Sequence, residues 1–332
     1  MIQQTNGRIA ILLVSTPRRY AMKIQWFPGH MHKASKEIKQ KLPDMDLLIE
    51  VLDARLPGSS ENPMLAKIRG DKPCIKIFNK VDLADPKLTE QWQQYYEQDK
   101  GIKTLCITRD QPEKIQQISQ LARKMITISD VRDKEIQAMI VGIPNVGKST
   151  IINILTGRTI AKTGNEAAVT RQQQRIKIND NVVLFDTPGL LWGNINNEHS
   201  GYRLAISGAI KDTAFDSADA AFYLAEILIK NYPETVIDRY QLSQAPQSEL
   251  ELIEAIGRLR GCLRAGGQIA LDKACKILIN EFRLGTLGEI TLENPDDFVT
   301  EVIQADQEKE EKEKAKIATK ADRKKRWKKN RK

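Results

Sequence analysis

Residues that can bind phosphate lie near the middle of the chain. The segment from Gly142 to Ser149 reads Gly-Ile-Pro-Asn-Val-Gly-Lys-Ser, which matches the pattern G-x-x-x-x-G-K-S/T. An apolar run at 136–141 before it predicts a strand, and apolar spacing at 151–155 after it predicts a helix. In such a loop the backbone amides and the positive helix end hold phosphate, the lysine reaches the β- and γ-phosphates, and the serine ligates Mg²⁺. We therefore expect nucleotide contacts from Asn145, Val146, Gly147, Lys148, Ser149 and Thr150.

A second motif that bears on the phosphates is Asp186-Thr-Pro-Gly189, which follows the apolar run 182–185. D-x-x-G arises by chance about once in a chain of this length, so its position after a buried strand gives it meaning. An acidic residue at that strand end binds Mg²⁺, usually through water, and the glycine amide meets the γ-phosphate. We therefore predict that Asp186 is a metal ligand and that Gly189 contacts the nucleotide.

The base is expected to be read by Asn79-Lys80-Val81-Asp82, which follows an apolar run from Cys74 to Phe78. A carboxylate accepts both the N1 proton and the 2-amino group of guanine, whereas adenine offers neither donor. Asp82 therefore selects GTP, because a wrong base would leave buried polar groups unpaired. Thr108 and Arg109 are weaker candidates for a loop that touches the guanine edge through its backbone.

The motifs occur in an unusual order along the chain. The base-reading loop comes first, the phosphate loop second and D-x-x-G third, whereas the phosphate loop comes first in ordinary small GTPases. The same parallel sheet forms if the old termini are joined and new ones are opened elsewhere, which compact domains tolerate. The fold class predicted from this order is α/β, a circularly permuted P-loop GTPase domain with a doubly wound, mostly parallel sheet.

The order and three segments resemble the circularly permuted GTPases of large-ribosomal-subunit assembly, and above all the ribosome biogenesis GTPase A family. The segments are Ile24–Met31, Val51–Pro57 and Gly142–Ser149, and the likeness covers about Met22 to Pro295. The resemblance implies a doubly wound G domain and a helical, RNA-binding C-terminal domain. It also implies GTP hydrolysis that the large subunit stimulates during its late maturation.

Catalysis needs a group other than the usual water-positioning glutamine, because Leu190 and Leu191 follow the D-x-x-G glycine. The resemblance implies that His30, in the segment Trp-Phe-Pro-Gly-His, serves hydrolysis. From the residues alone, a histidine after Pro-Gly is more often a turn residue. The alternative is an intrinsically slow site that awaits a partner.

Two further residues are expected near the phosphates. The resemblance suggests that Asn145 helps to hold K⁺, in the place where other GTPases use an arginine finger. Thr170 is predicted to be the switch threonine that closes on Mg²⁺ and contacts the nucleotide. Thr159 and Thr163 compete with it on polarity alone.

Basic charge is concentrated in the last part of the 332-residue chain. The net charge is +9, and the stretch from Ala305 to Lys332 holds 13 Lys/Arg against 6 Asp/Glu. A segment of this composition cannot bury a core, so we expect it to be disordered alone. Clustered cations and Trp327 favour an arm that binds a polyanion, and the alternative is a solubilising extension.

Helical periodicity replaces the strand pattern after Ser217. Apolar stripes at 221–229, 252–259 and 269–282 predict a helical core. Cations between the stripes are candidates for a phosphate-contacting face, or they are simply solvated. These are Arg258, Arg260, Arg264, Lys273, Lys276 and Arg283. The predicted organisation is an N-terminal extension at 1–21, a permuted G domain at 22–195, a helical domain at 196–296 and a basic tail at 297–332.

The expected function is a GTP-hydrolysing factor that binds the large ribosomal subunit and its rRNA, uses Mg²⁺ and K⁺, and acts as a monomer. One alternative is a non-catalytic scaffold in which GTP only orders the fold, and another is an RNA-acting ATPase, against which Asp82 argues.

No apolar run is long enough to span a membrane. The four cysteines include no C-x-x-C pair, which indicates buried thiols in a reducing compartment. We expect the cytoplasm, or a mitochondrial or plastid matrix if residues 1–21 are a transit segment. The alternative for these residues is a misassigned start, with Met22 as the first residue.

Overall fold

The computed structural model describes residues 24, 26–126, 135–158, 174–179 and 182–329. The predicted N-terminal extension at 1–21 and the predicted switch threonine Thr170 lie outside these residues. No helix within the described ranges is long and apolar enough to cross a membrane.

A six-stranded sheet forms the first half, with spatial order β3-β2-β1-β4-β6-β5. Only β5 runs antiparallel, beside β6, and the remaining neighbours pair in parallel. Every residue of β1 and β2 is buried, because helices cover both faces of a parallel sheet. The strands are β1 Leu47–Asp53, β2 Cys74–Asn79, β3 Ile102–Ile107, β4 Ile136–Gly142, β5 Gln174–Asn179 and β6 Val182–Asp186.

The sheet confirms the predicted fold class and explains how the permuted order works. From β1 the chain winds outward through β2 and β3, then returns to place β4 on the other side of β1. Val51 of β1 pairs with Gly142 of β4, so the winding direction reverses between these two strands. Ligands of open α/β sheets bind outside the carboxyl ends of the strands at such a reversal. The phosphate loop and the Asp53–Arg55 segment both start there.

Local sequence signals set the helices around the sheet. Proline at the first helical position begins four of them, since its fixed φ suits a helix start, and Asn62 and Asp85 cap two of these with their side chains. The helices are α1 Gly29–Lys41, α2 Pro57–Ser60, α3 Pro63–Arg69, α4 Pro86–Glu97, α5 Pro112–Met125 and α6 Lys148–Thr156.

The second half is helical, as the apolar stripes predict. Helices α8, α10 and α11 pack on one another through buried residues such as Leu228, Ile256 and Leu278. Leu259, at the end of its stripe, is instead exposed. The helices are α7 Glu198–Ser207, α8 Ser217–Asn231, α9 Pro233–Tyr240, α10 Glu249–Leu259, α11 Leu271–Leu284 and α12 Pro295–Lys329.

The structure divides the cations that were candidates for one basic face. Arg260 pairs with Glu281, whose carboxylate also accepts from Arg239 and Tyr240. Arg283 turns toward α7. Arg258, Arg264, Lys273 and Lys276 are exposed, and of these Arg258 pairs with Glu254 at 3.4 Å and Arg264 pairs with Asp272 at 3.2 Å.

The tail differs from the expectation of disorder, because α12 continues as one helix to Lys329. Its residues are largely alanine, glutamate and lysine, which favour helix, and such a helix forms without burying a core. Ion pairs between residues four apart stabilise this helix, such as Lys312–Glu308 at 2.9 Å and Lys314–Glu310 at 3.7 Å. The segment therefore differs from the prediction because helix formation depends on the local preferences of its residues and not only on what they can bury.

The four cysteines are free, and Cys74, Cys262 and Cys275 are buried. Burial raises the pKa of the Cys74 thiol to about 12. Three of the four thiols are thus buried, as the sequence predicts, and pack as small apolar side chains, whereas Cys106 is only partly buried.

Candidate nucleotide-binding site

A cleft of about 1110 Å³ lies between the carboxyl edge of the sheet and the helical half. One wall comes from the base-reading loop and the phosphate loop, and the other comes from α7, the segment after it, and α11. The residues that line the cleft include Arg55, Asn79, Lys80, Asp82, Leu83, Arg109, Asn145, Gly147, Thr150, Gly208, Lys211, Asp212, Asn280, Arg283 and Leu284.

Backbone conformation shapes the phosphate loop. Gly147 has φ of 98° and Asn145 has φ of 59°, a region that glycine and asparagine adopt more readily than other residues. At Gly142 an added Cβ would lie 2.9 Å from the Val51 carbonyl oxygen, so the strand end approaches β1 too closely for a side chain. Lys148 begins α6, and Ser149 follows it in the first turn. The loop thus directs its amides and the amino end of a helix into the cleft.

The predicted metal-binding carboxylate meets the phosphate-loop lysine. Lys148 Nζ lies 2.5 Å from Asp186 Oδ1, and both side chains are buried. Among the described residues, Asp186 Oδ2 is a buried oxygen without a hydrogen-bond partner. A carboxylate oxygen and the Ser149 hydroxyl are hard donors of the kind that Mg²⁺ prefers. The residues present at this position therefore fit a Mg²⁺ ion.

The residues that follow Asp186 hold the backbone close to the phosphate loop. Thr187 donates its hydroxyl to the Ile140 carbonyl at 2.9 Å, and an added Cβ at Gly189 would lie 2.9 Å from the Pro144 Cα. Leu190 is buried, and its amide donates to the Gly142 carbonyl at 3.0 Å. Gly189 therefore lies against the phosphate loop, while the leucine that replaces glutamine belongs to the core.

The base-reading loop is joined directly to the phosphate loop. Asn79 donates its side-chain amide to the Val146 carbonyl at 2.7 Å, and an added Cβ at Gly147 would collide with that amide. Asp82 is exposed and lines the cleft, as expected for a side chain that meets a base edge. Of the weaker candidates, Arg109 also lines the cleft. Thr108 is buried, and its hydroxyl accepts from the Asp110 amide at 3.1 Å.

A buried charge cluster supports this loop, and motif reasoning did not find it. Asp53 accepts from the Arg55 guanidinium at 2.8 and 2.9 Å and from Lys80 Nζ at 2.7 Å. Burial raises the pKa of Asp53, but the two cations outweigh burial and hold the pKa well below its usual value. Burial lowers the pKa of Lys80. The segment from Val51 to Arg55 carries part of the family resemblance, but no local pattern in it indicates that Asp53 pairs with Lys80.

The helical half contacts the phosphate loop as well. Asn145 donates its side-chain amide to the Gly208 carbonyl at 2.7 Å, next to the end of α7. Arg283 of α11 donates to the Ala205 and Ile206 carbonyls at 2.9 Å and pairs with Asp212 at 2.7 Å. These contacts connect the K⁺ candidate Asn145 to the helical half, and nothing in the local sequence predicts them.

His30 lies at the second residue of α1 and is exposed. The segment before it packs on the chain that leaves the D-x-x-G motif, because an added Cβ at Gly193 would lie 3.3 Å from the Phe27 ring. Phe27 also meets the His32 ring edge-on at 4.3 Å. The structure thus brings the Trp-Phe-Pro-Gly-His segment beside the residues that follow Gly189.

Comparison with known proteins agrees with this geometry. A family model described as 50S ribosome-binding GTPase matches residues 137–253. Ribosome biogenesis GTPase A of Priestia megaterium is 43% identical over 282 residues, covering 82% of this chain and 98% of that protein. The chain belongs to the ribosome biogenesis GTPase A family. It is thus a P-loop GTPase of ribosome biogenesis, and GTPases of this kind generally use Mg²⁺.

Two other proteins are similar to this GTPase A family member over most of its length. Mitochondrial ribosome-associated GTPase 1 of Mus musculus is 33% identical over 295 residues, covering 81% of this chain and 90% of that protein. The crystal structure of GNP-bound YlqF from T. maritima superimposes with a TM-score of 0.56 at 26% identity, covering 79% of this chain and 98% of that chain. These relatives and this structure are matched over nearly their full length.

The position of Asp82 gives a test of base selection. Asp82→Asn should weaken GTP binding on the order of 10²-fold or more, because an amide cannot accept both guanine donors. The same variant should gain affinity for xanthosine triphosphate, whose 2-oxo group accepts from the new amide. Calorimetric titration measures both, and Asp71→Asn, an exposed aspartate outside the cleft lining, is the matched control. Equal GTP affinity in Asp82→Asn and wild type would remove Asp82 from base recognition.

Proposed function

We propose that the protein binds the large ribosomal subunit through its rRNA and hydrolyses GTP there during late maturation of the subunit. The observation that supports this most is the joining of the base-reading and phosphate loops in one cleft whose other wall is the helical half. A cleft built in this way lets the nucleotide affect the part of the chain that we assign to RNA. GTP and GDP are the ligands, and the working unit is a monomer.

The proposed nucleotide contacts follow the motifs. Asp82 and Asn79 hold the guanine end, with Lys80, Thr108 and Arg109 around it. The amides of the phosphate loop and Lys148 hold the phosphates, and Lys148 exchanges Asp186 for phosphate oxygens when GTP enters. Bound Mg²⁺ neutralises phosphate charge in such sites. Its proposed protein ligands are Ser149, Thr170 and, through water, Asp186.

Hydrolysis in this proposal depends on His30, which orients the attacking water. Leu190 cannot do so, because its side chain is aliphatic and buried. The segment that carries His30 packs beside Gly193, so a shift of the chain after Gly189 also shifts His30. Asn145 holds K⁺ near the β- and γ-phosphates, where a positive charge stabilises the transition state.

RNA binding is assigned to the helical half and to α12. Exposed cations on α10 and α11, together with the basic end of α12, give a surface that releases phosphate counterions. Trp327 is 57% exposed and offers a face for a base to stack on. The organisation we propose keeps the ranges of a G domain at 22–195, a helical domain at 196–296 and a charged arm at 297–332. The proposed compartment is the cytoplasm.

The competing function is a scaffold that binds GTP and the ribosome without turnover. Measurement of GTP hydrolysis with added large subunits separates the two, with small subunits as the control. We expect large subunits to raise turnover at least about tenfold, and K⁺ to support it better than Na⁺. Turnover that large subunits leave unchanged would favour the scaffold.

Substitution of His30 tests the chemical step. His30→Ala should keep GTP and subunit binding but lose most stimulated turnover, because positioning water lowers the barrier more than it stabilises the ground state. His32→Ala removes an imidazole from the same helix and should retain turnover. Full stimulated turnover in His30→Ala would exclude this histidine from the mechanism.

Removal of the segment from Arg323 to Lys332 tests the arm. The deletion takes away eight Lys/Arg and Trp327, so folding and basal hydrolysis should persist. RNA binding should weaken, and the slope of log affinity against log salt should fall by about 2 to 5, since each lost phosphate contact removes roughly 0.7 to 0.9. Fluorescence anisotropy with rRNA across a salt series measures it.

A full-length variant with those eight cations changed to glutamine separates charge from helix length. It should reproduce most of the loss in slope, because counterion release depends on charge. An unchanged slope in both variants would mean that the arm is only a solvated extension.

A further inference from the structure

The carboxyl end of α11 forms part of the nucleotide cleft. Asn280, Arg283 and Leu284 line the same cleft as Asp82 and Leu83. The base-reading motif supplies Asp82, whereas α11 belongs to the helical half. The guanosine end of the cleft therefore has a second wall that no motif in the chain marks.

Leu284 is unusual on this wall, because its side chain is 73% exposed. The apolar residues that α11 uses for packing, such as Leu278 and Phe282, are buried, so Leu284 is not part of that core. Its neighbour Arg283 donates hydrogen bonds to carbonyls of α7 and forms an ion pair with Asp212. An apolar side chain held at the rim of a polar cleft gains free energy if a ligand covers it.

The backbone fixes Leu284 beside the base-reading loop. Gly285 has φ of 74°, and an added Cβ there would collide with the Leu83 side chain. The Ile290 amide donates to the Leu83 carbonyl at 3.0 Å, which holds the chain after α11 to the same residue. Because Leu83 follows Asp82 directly, the end of α11 keeps a set position relative to the residue that reads the base.

We propose that Leu284 and Asn280 are nucleoside-binding residues supplied by the helical half. This inference rests on the proposed placement of guanine at Asp82. A purine presents an apolar face and ribose presents hydroxyl groups, so Leu284 covers the guanosine and the exposed Asn280 amide hydrogen-bonds to it. The helical half then contacts bound nucleotide directly. Because this half is also the proposed RNA-binding part, nucleotide and RNA change each other's binding free energy by the same amount.

Calorimetric titration of unlabelled GDP into the full-length protein tests this. Leu284→Ala should weaken GDP binding roughly 5- to 20-fold, which corresponds to partial loss of a buried leucine, and Leu284→Met should restore most of it. Asn280→Ala should weaken it by a smaller factor of about 3 to 10. The matched control is Leu263→Ala, because Leu263 is 53% exposed and is absent from the cleft lining.

Titration of inorganic pyrophosphate separates a nucleoside contact from a distorted phosphate loop. Pyrophosphate affinity should be the same in Leu284→Ala and wild type, and thermal unfolding should show equal midpoints. GDP affinity equal to that of Leu263→Ala, or an equal loss for pyrophosphate and GDP, would overturn the inference.

The outcome is also separable from the proposed function. If Leu284→Ala binds GDP normally while large subunits stimulate turnover, the inference fails and the function stands. If Leu284→Ala loses GDP affinity while subunits have no effect on turnover, the function fails and the nucleoside contact stands.

Discussion

The arrangement of the two halves depends on the ion pairs made by the buried carboxylate of Asp53. Asp53 is the last residue of β1, and its carboxylate pairs with Arg55 and Lys80, so it joins the central strand to the base-reading loop. Arg55 also donates to the Phe282 carbonyl at 2.9 Å and lies 4.6 Å from the Phe282 ring centroid. The Arg55 carbonyl accepts from the Leu292 amide at 2.7 Å. Removing one member of a buried ion cluster costs about 3 to 5 kcal/mol, because the remaining charges lose their partners.

A second buried cluster of charged residues joins α7, the helix that follows the D-x-x-G motif, to α12. Arg203 of α7 pairs with Glu293 at 3.1 Å and with Glu301 of α12 at 2.7 Å. Asn197, at the start of α7, donates to the same Glu301 at 3.0 Å. Burial raises the pKa of Glu293 more than Arg203 lowers it, whereas for Glu301 the charge of Arg203 and hydrogen bonds outweigh burial. The first turns of α12 are thus held by α7, the helix that follows the D-x-x-G motif.

Motifs were predictable because each depends on a short stretch of chain. The phosphate loop, Asp186 and Asp82 follow strands whose apolar runs are visible in the sequence, and parallel strands bring their carboxyl ends to one edge. Contacts such as Asn145–Gly208 join residues far apart in the chain, and no local pattern specifies them. The helical form of α12 is a different case. Its alanine, glutamate and lysine content favours helix, and a helix of this composition needs no buried core, so low core-forming capacity alone does not predict disorder.

Circular permutation gives the helical half contacts at both ends of the nucleotide site. The chain passes from Asp186 through Gly193 into α7, so the phosphate end leads directly into the second half. At the base end, Leu83 is held by Ile290 and by the close approach of Gly285. Of these two attachments, the one at the phosphate end runs through the D-x-x-G motif, whereas the one at the base end is made by Leu83. The helical half is therefore attached to the G domain at two separate points of the cleft, and only one of these attachments lies on the chain that leaves Gly189.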